Sequence, residues 1–239
     1  WVAPQEFLDR YEPRSFTLPR FPPDLEAQRS TGYRSDKELR AARHGYYAMI
    51  SEVDHHIGSI LARLAARGLR ENTIVIFTSD HGEWLGEHLK YGKGYPAPDC
   101  VSRVPLLLRY PAAAIPPGNT ISTIVEAVDV VPTLLQLAGI QVPPSLQGRP
   151  LPLATTEEDA PERSALTEGA GWKALRTSHC RYVVHADGRE LLFDLLQDAG
   201  EYHDVAGDVA NRTTLAEHRH LLLRRLLSME RPMPRVWSY

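Results

Sequence analysis

Asn72-Thr73-Ile74-Val75-Ile76-Phe77-Thr78-Ser79-Asp80-His81-Gly82 is the stretch that decides the fold. Its first half is an unbroken run of β-branched and aromatic side chains with no polar alternation. Such a run suits a strand covered on both faces, as in a mostly parallel sheet flanked by helices. It stops at Ser79-Asp80-His81-Gly82, and in open α/β sheets ligands bind beyond the carboxyl ends of strands. From that position the Asp80 carboxylate and the His81 imidazole can turn into one crevice and offer an oxygen and a nitrogen to a divalent ion. Gly82 permits a sharp exit and close backbone approach. By itself the Asp-His-Gly triplet is a weak signal, since a capping Asp beside a solvated His has the same sequence.

Upstream, Ser35-Asp36-Lys37-Glu38 has the form of a capping box. Behind it Leu39, Ala42, Tyr46, Ile50, Val53, Ile57, Ile60, Leu61 and Leu64 recur at three- and four-residue steps, which predicts one long amphipathic helix ended by Gly68. Residues 1–34 are rich in Pro and Arg and read as an extended surface connection. Downstream, Val104-Pro105-Leu106-Leu107-Leu108 predicts another strand, and Asp129-Val130-Val131-Pro132-Thr133-Leu134-Leu135 a helix stopped by Gly139.

The Pro-, Gly- and acid-rich residues 141–163 mark a boundary, with a first domain over 1–150 and a second over 160–239. In the second, Ala165–Thr167, Trp172–Arg176, Arg181–Val184 and Glu190–Leu195 read as short strands, with Asp187-Gly188 as a hairpin turn. Leu215 to Leu227 has helical spacing and is expected to pack on that small antiparallel sheet.

Composition narrows the function classes. The chain has 239 residues, 43% hydrophobic and 24% charged, with a net charge of −3. That balance fits a folded globular chain and gives no reason to expect nucleic acid or an acidic membrane as partner. No apolar stretch approaches the roughly 20 residues that cross a bilayer. Cys100 and Cys180 cannot form a disulfide framework and stand at no metal-ligand spacing, so they read as buried small side chains. The chain opens at Trp1-Val2-Ala3-Pro4 without an initiator Met or a signal peptide, as though cut from something longer. Compartment and oligomeric state stay open.

The densest group of reactive side chains is Asp80-His81-Gly82-Glu83-Trp84-Leu85-Gly86-Glu87-His88-Leu89-Lys90-Tyr91-Gly92-Lys93-Gly94. Together with Tyr46 to Asp54, Arg103-Val104-Pro105-Leu106, Asp129 to Leu134, Leu137-Ala138-Gly139-Ile140 and the closing Leu191-Leu192-Phe193-Asp194-Leu195, it stands in an order that resembles the sulfatases of the alkaline phosphatase superfamily. The resemblance covers about 200 residues. It implies an alkaline phosphatase-like α/β fold, partial here, and hydrolysis of a small sulfate ester. The short interval of thirteen residues from Asp80 to Lys93 looks closest to the sulfatases that overlap with phosphonate and phosphate ester hydrolases. A phosphonate or phosphate ester is therefore the alternative substrate, and a noncatalytic sulfatase-derived binding domain the alternative outside enzymes.

The resemblance further implies that Asp80 and His81 ligate one divalent cation, calcium, magnesium or manganese, and that Lys93 contacts the sulfuryl or phosphoryl oxygens. A cation and an ammonium there oppose the charge of the transferred group. Lys90 is the alternative lysine, and His88 a second catalytic candidate as a pocket-lining residue. His55 and His56, about 100° apart on one helix, read as solvated or interhelical, and Asp129 as a capping residue. The family's nucleophile is a formylglycine made from a Cys/Ser-x-Pro-x-Arg motif. Neither Cys100-Val101-Ser102-Arg103-Val104 nor Cys180-Arg181-Tyr182-Val183-Val184 fits it. The paired Asp of an early strand and the His before a Trp1-Val2-Ala3-Pro4-like segment are missing too. The expectation is a half-site in an incomplete chain.

Overall fold

The Pro- and Arg-rich segment ahead of residue 35 packs rather than merely connects. In the computed structural model, which describes residues 1–29, 35–113, 115, 118–153 and 163–230, this segment forms α1 (Gln5–Leu8), a 3-10 turn at Pro13–Ser15 and α2 (Pro23–Glu26). Phe7 and Phe16 are buried. Phe7 joins Ala3 and Ala48 in an apolar cluster, with Leu8, Tyr11 and Met49 packed around it. Part of the expected connection, 30–34, lies outside the described residues.

α3 (Asp36–Ala66) carries the predicted helix. The Ser35 hydroxyl accepts a hydrogen bond from the Glu38 N–H at 3.3 Å, satisfying one of the amides left open at a helix start. At 1.5 Å per residue its 31 residues span about 46 Å. Leu39, Gly45 and Ala48 are buried, whereas Ile50, Val53 and Ile60 of the same periodic stripe are exposed. The sequence pattern sets the helix, and the cover over its apolar stripe stops about half-way along.

β1 (Val75–Thr78) follows, then α4 (Asp99–Ser102) and β2 (Leu106–Arg109). The two strands pair antiparallel, from Val75 opposite Arg109 to Thr78 opposite Leu106. The α/β class is as expected. The pairing differs from the mostly parallel arrangement anticipated, because the chain between the strands folds back through a loop and the one-turn α4 instead of a long crossover helix. Among the described residues β2 is the only strand beside β1, so Phe77 and Leu107 face solvent where a doubly covered strand was expected.

The chain divides into two compact units, Trp1–Pro117 and Gly118–Tyr239. The elements so far belong to the first. The second holds α5 (Val130–Leu137), β3 (Ala165–Gly169), β4 (Trp172–Arg176), β5 (Cys180–His185), β6 (Glu190–Asp194) and α6 (Arg212–Met229). Its strands form an antiparallel sheet in sequence order, β3-β4-β5-β6. Leu175, Cys180, Tyr182 and Leu192 form its core with Leu215 and Leu222 of α6. Burial raises the Cys180 thiol pKa above its ordinary value. In the β5–β6 turn the Gly188 N–H donates to the His185 carbonyl at 2.9 Å, where Asp187-Gly188 signals the hairpin. No helix of the described residues is long and apolar enough to cross a membrane.

The division after Pro117 lies well ahead of the 141–163 stretch expected to separate the domains, of which 154–162 fall outside the described residues. The reason is a set of polar ties. Asp129 is buried, and its carboxylate accepts from the Glu126 N–H at 3.1 Å, the Arg149 N–H at 2.7 Å and the Arg163 guanidinium at 3.3 Å. Glu126 accepts from the Leu166 N–H at 2.8 Å and from Arg225 at 2.6 Å. Asp129 stands at the N-terminus of α5 as expected, but its side chain makes no capping hydrogen bond to that helix; it closes the 3-10 turn ahead of it through the Glu126 N–H and binds the start of α5 to the chain entering β3.

Asp129→Ala is expected to destabilise the protein by about 3–5 kcal/mol, because it leaves the Arg163 guanidinium buried without its partner. Glu168→Gln, at the exposed Glu168–Lys173 pair, should change stability by no more than about 1 kcal/mol. Urea denaturation of both variants beside the parent chain checks the contrast.

Candidate active site

β1 ends at Thr78, and the next three residues form a local hydrogen-bonded turn. The Asp80 carboxylate accepts from the His81 N–H at 2.9 Å, and the Ser79 hydroxyl donates to the His81 carbonyl at 2.9 Å. The His81 N–H is the main reason that the Asp80 pKa lies below the ordinary carboxylate value. Asp80 is 82% exposed and His81 35%. The carboxylate is thus ionised and open to solvent.

His81 is oriented by its neighbour. Its Nδ1 lies 2.7 Å from the Gly82 carbonyl oxygen. A carbonyl only accepts, so Nδ1 carries the proton and donates, which leaves the Nε2 lone pair outward in the neutral imidazole. That Nε2 is 3.4 Å from Asp80 Oδ2. Two electron-rich atoms at this separation match neighbouring ligand atoms around a hard cation, about 3–3.6 Å apart for bonds of about 2.1–2.5 Å. A backbone carbonyl on the far ring nitrogen is the usual outer support of a metal-bound histidine. The pair fits a divalent ion, and among the described residues no group of three or more His, Cys, Asp or Glu is arranged to hold one.

The following loop is fixed by its own backbone. The Gly82 N–H donates to the Val101 carbonyl at 2.7 Å and the Glu83 N–H to the Cys100 carbonyl at 3.0 Å. A side chain at residue 82 would set its Cβ 2.1 Å from the Cys100 oxygen, so the approach requires glycine. The Glu83 carboxylate accepts from the Leu85 and Gly92 N–H groups, and the Trp84 N–H donates to the Gly92 carbonyl at 3.0 Å. Arg43 of α3 reaches Glu87 at 3.0 Å. Glu83 was not singled out from the sequence, where its place directly after Asp80-His81-Gly82 was the available signal.

The remaining candidates separate by environment. Trp84 is buried, with the His88 ring edge-on to it at 5.1 Å and Lys90 Nζ 4.8 Å from the ring centre. Lys90 is thereby engaged in a cation–π contact. Lys93 is exposed, and makes no hydrogen bond or ion pair among the described residues. Asp80 and His81 are brought together; His88 lies against Trp84 instead. His55 and His56 are exposed on α3, as expected.

A family model described as sulfatase matches residues 14–140, more than half of the chain. The chain belongs to the sulfatase family. A second model, described as N-sulphoglucosamine sulphohydrolase, C-terminal, matches residues 86–228. The ulvan-active sulfatase of Formosa agariphila is 33% identical over 218 residues, covering 86% of this chain and 41% of that protein. A phosphonate monoester hydrolase from Silicibacter pomeroyi superposes with a TM-score of 0.80 at 27% identity, covering 96% of this chain and 54% of that one. The structure of BT4656 in complex with its substrate D-glucosamine-2-N,6-O-disulfate gives a TM-score of 0.75 at 26% identity, over 85% of this chain and 44% of that one. This sulfatase-family chain thus spans about two fifths to one half of the length of such relatives.

Gly82→Ala is expected to force the β1 exit away from Cys100 and lower stability by about 1–3 kcal/mol, with the Asp80–His81 arrangement disturbed. Urea denaturation and the imidazole proton resonances of His81 measure both effects; Gly58→Ala, with open space around it, is the matched control and should be neutral or stabilising.

Proposed function

We propose that this chain carries the cation-binding and charge-stabilising part of a sulfate ester hydrolase. The carrying observation is the exposed Asp80 Oδ2 and His81 Nε2, 3.4 Å apart at the end of β1, in a chain of the sulfatase family. Asp80 supplies an ionised oxygen, and His81 supplies Nε2 because Nδ1 is committed to the Gly82 carbonyl. A bound calcium, magnesium or manganese ion would supply Lewis-acid polarisation of the ester's non-bridging oxygens. Lys93 places its ammonium on the same oxygens and steadies the charge left on the departing alkoxide. The hydrogen bonds from Gly92 and Leu85 to Glu83 hold the loop that leads into Lys93, so the ammonium is presented from a fixed base. Lys90, held over Trp84, is the poorer candidate for that task. His88 is assigned a place in the pocket wall through its ring contact with Trp84.

A formylglycine nucleophile is the family's expectation, and neither Cys100 nor Cys180 stands in the motif that yields one. The substrate proposed is a small-molecule sulfate ester. The phosphonate monoester hydrolase likeness keeps a phosphonate ester as the second reading, since a tetrahedral group with charged oxygens meets the same ion and lysine.

The test joins residues 1–239 to a sulfatase-type nucleophile segment and measures hydrolysis of 4-nitrophenyl sulfate and an aryl phosphonate monoester side by side, with metal content. Lys93→Ala should lower kcat by about 10²-fold or more with the metal retained. Asp80→Ala should lower both metal content and turnover. Residues 1–239 alone should turn over neither substrate. A neutral Lys93→Ala, or turnover by the chain alone, overturns the assignment; a preference for the phosphonate selects the second reading.

A further inference from the structure

The loop between β1 and β2 is strained where it meets α3. Leu85, His88 and Leu89 take φ of +44°, +53° and +55°, in the left-handed region that side chains disfavour. Such strain persists only where the surrounding structure over-determines it. Main-chain bonds supply part of the constraint. The Glu87 N–H donates to the Trp84 carbonyl at 2.7 Å, the Leu89 N–H to the Gly86 carbonyl at 3.0 Å and the Gly86 N–H to the Lys90 carbonyl at 2.9 Å. Trp84 and Leu89 are buried.

The rest comes from α3. Leu39 and Arg43 stand four residues apart and so share one face of the helix. Gly86 lies flat on Leu39, since a Cβ at residue 86 would sit 2.4 Å from Leu39 Cδ2. One turn along, the Arg43 guanidinium meets the Glu87 carboxylate at 3.0 Å, with the Arg43 side chain only 16% exposed. The same guanidinium donates to the Thr17 carbonyl at 2.9 Å. A guanidinium held from two sides is a firm anchor, and a partly buried charge-assisted bond is stronger than an ion pair in open solvent. The anchored turn hands its position on along the backbone. The Trp84 N–H donates to the Gly92 carbonyl at 3.0 Å, and Lys93 is the next residue.

We propose that Arg43 is a positioning residue: its ion pair with Glu87 holds the strained turn on α3, and the turn fixes the place of Lys93 relative to Asp80 and His81. That these three groups meet one ester rests on the function proposed above; the anchoring of Lys93 does not. Release of the ion pair lets the left-handed residues relax, and their relaxation shifts the Trp84–Gly92 bond and the backbone of Lys93 with it. A misplacement of about 1 Å is enough to lower turnover about 10²-fold. The effect falls on kcat rather than on the cation, because Asp80 and His81 stand ahead of the loop.

Two measurements test it. Amide hydrogen exchange on residues 1–239 should be about tenfold or more faster at Gly92 and Lys93 in Arg43→Met than in the parent chain. Glu87→Ala, which removes the partner from the loop side, should act alike, and circular dichroism of each variant reports folding. In Glu87→Gln the amide oxygen still accepts from Arg43, so exchange should change by only a few-fold. Arg29→Met removes a different ion pair on α3, between Arg29 and Asp36 at 3.0 Å, and should leave both amides as they are. In the protein joined to a nucleophile segment, Arg43→Met should lower kcat about ten- to a hundredfold with KM and metal content retained, and Arg29→Met should be neutral. A double-mutant cycle shows whether Arg43 acts through Lys93: added to Lys93→Ala, Arg43→Met should lower kcat no further. Unchanged exchange at Gly92 and Lys93 in Arg43→Met, an equal loss of kcat in Arg29→Met, or losses from Arg43→Met and Lys93→Ala that multiply each overturn the proposal. A neutral Lys93→Ala overturns the hydrolase reading instead, and the exchange rates then decide the anchoring alone.

Discussion

Two backbone hydrogen bonds, from the Gly82 N–H to the Val101 carbonyl and from the Glu83 N–H to the Cys100 carbonyl, close the chain where it leaves β1. They require the two segments to approach until no side chain fits at residue 82. Everything chemical in the first unit hangs on this closure. It returns the chain to β2 beside β1, and confines residues 83–99 to one excursion whose turns are satisfied by Glu83 and by main-chain bonds around Trp84. Asp80 and His81 stand before the crossing point and Lys93 within the loop it closes. The Asp80–His81 pair proposed to take a cation and the Lys93 ammonium proposed to meet the ester are therefore carried on the same short piece of backbone, which under that proposal leaves little reorganisation for the moment of binding.

The second unit is held by a different balance. Its apolar core of Leu175, Cys180, Tyr182, Leu192, Leu215 and Leu222 is small, and charged groups are buried around it. Arg181 and Glu201 are both about 1% exposed with Nε and Oε2 2.6 Å apart, and Glu201 takes a φ of +58°, a strained region for a residue with a side chain. Such pairs gain little net energy against an apolar core of equal shape, but losing one member is severe because the other is left as an unpaired buried charge. Glu126, Asp129, Arg163 and Arg225 act in the same way, fixing which strand and which helix face the start of α5. At the surface, the Arg219 hydrogen bonds hold the Glu190 carboxyl below its ordinary range. Its contribution to stability is present above the ordinary carboxylate pKa and fades as pH falls through the lowered value.

What the sequence disclosed follows from local physics. The Ser35 cap, the long helix behind it, the Asp187-Gly188 hairpin and the α6 spacing are decided by neighbours a few residues away, and all appear where expected. The Asp80-His81 pairing was legible for the same reason, being adjacent residues at a strand end. The direction of β2 and the burial of β1 depend on what lies beside the strands, which composition does not encode. Asp129 looked like an ordinary cap because its partners, Arg149 and Arg163, are 20 and 34 residues away. Arg43 and Glu87 are 44 residues apart and became neighbours only through the pinned loop.

The central claim is that Asp80 and His81 share one divalent cation through Oδ2 and Nε2. Anomalous diffraction from crystals of the chain soaked in manganese tests it most directly. The account predicts an anomalous peak adjacent to both atoms, with His81 Nδ1 still donating to the Gly82 carbonyl. A peak on Nδ1 with that hydrogen bond broken, or manganese bound only elsewhere on the chain, would contradict it.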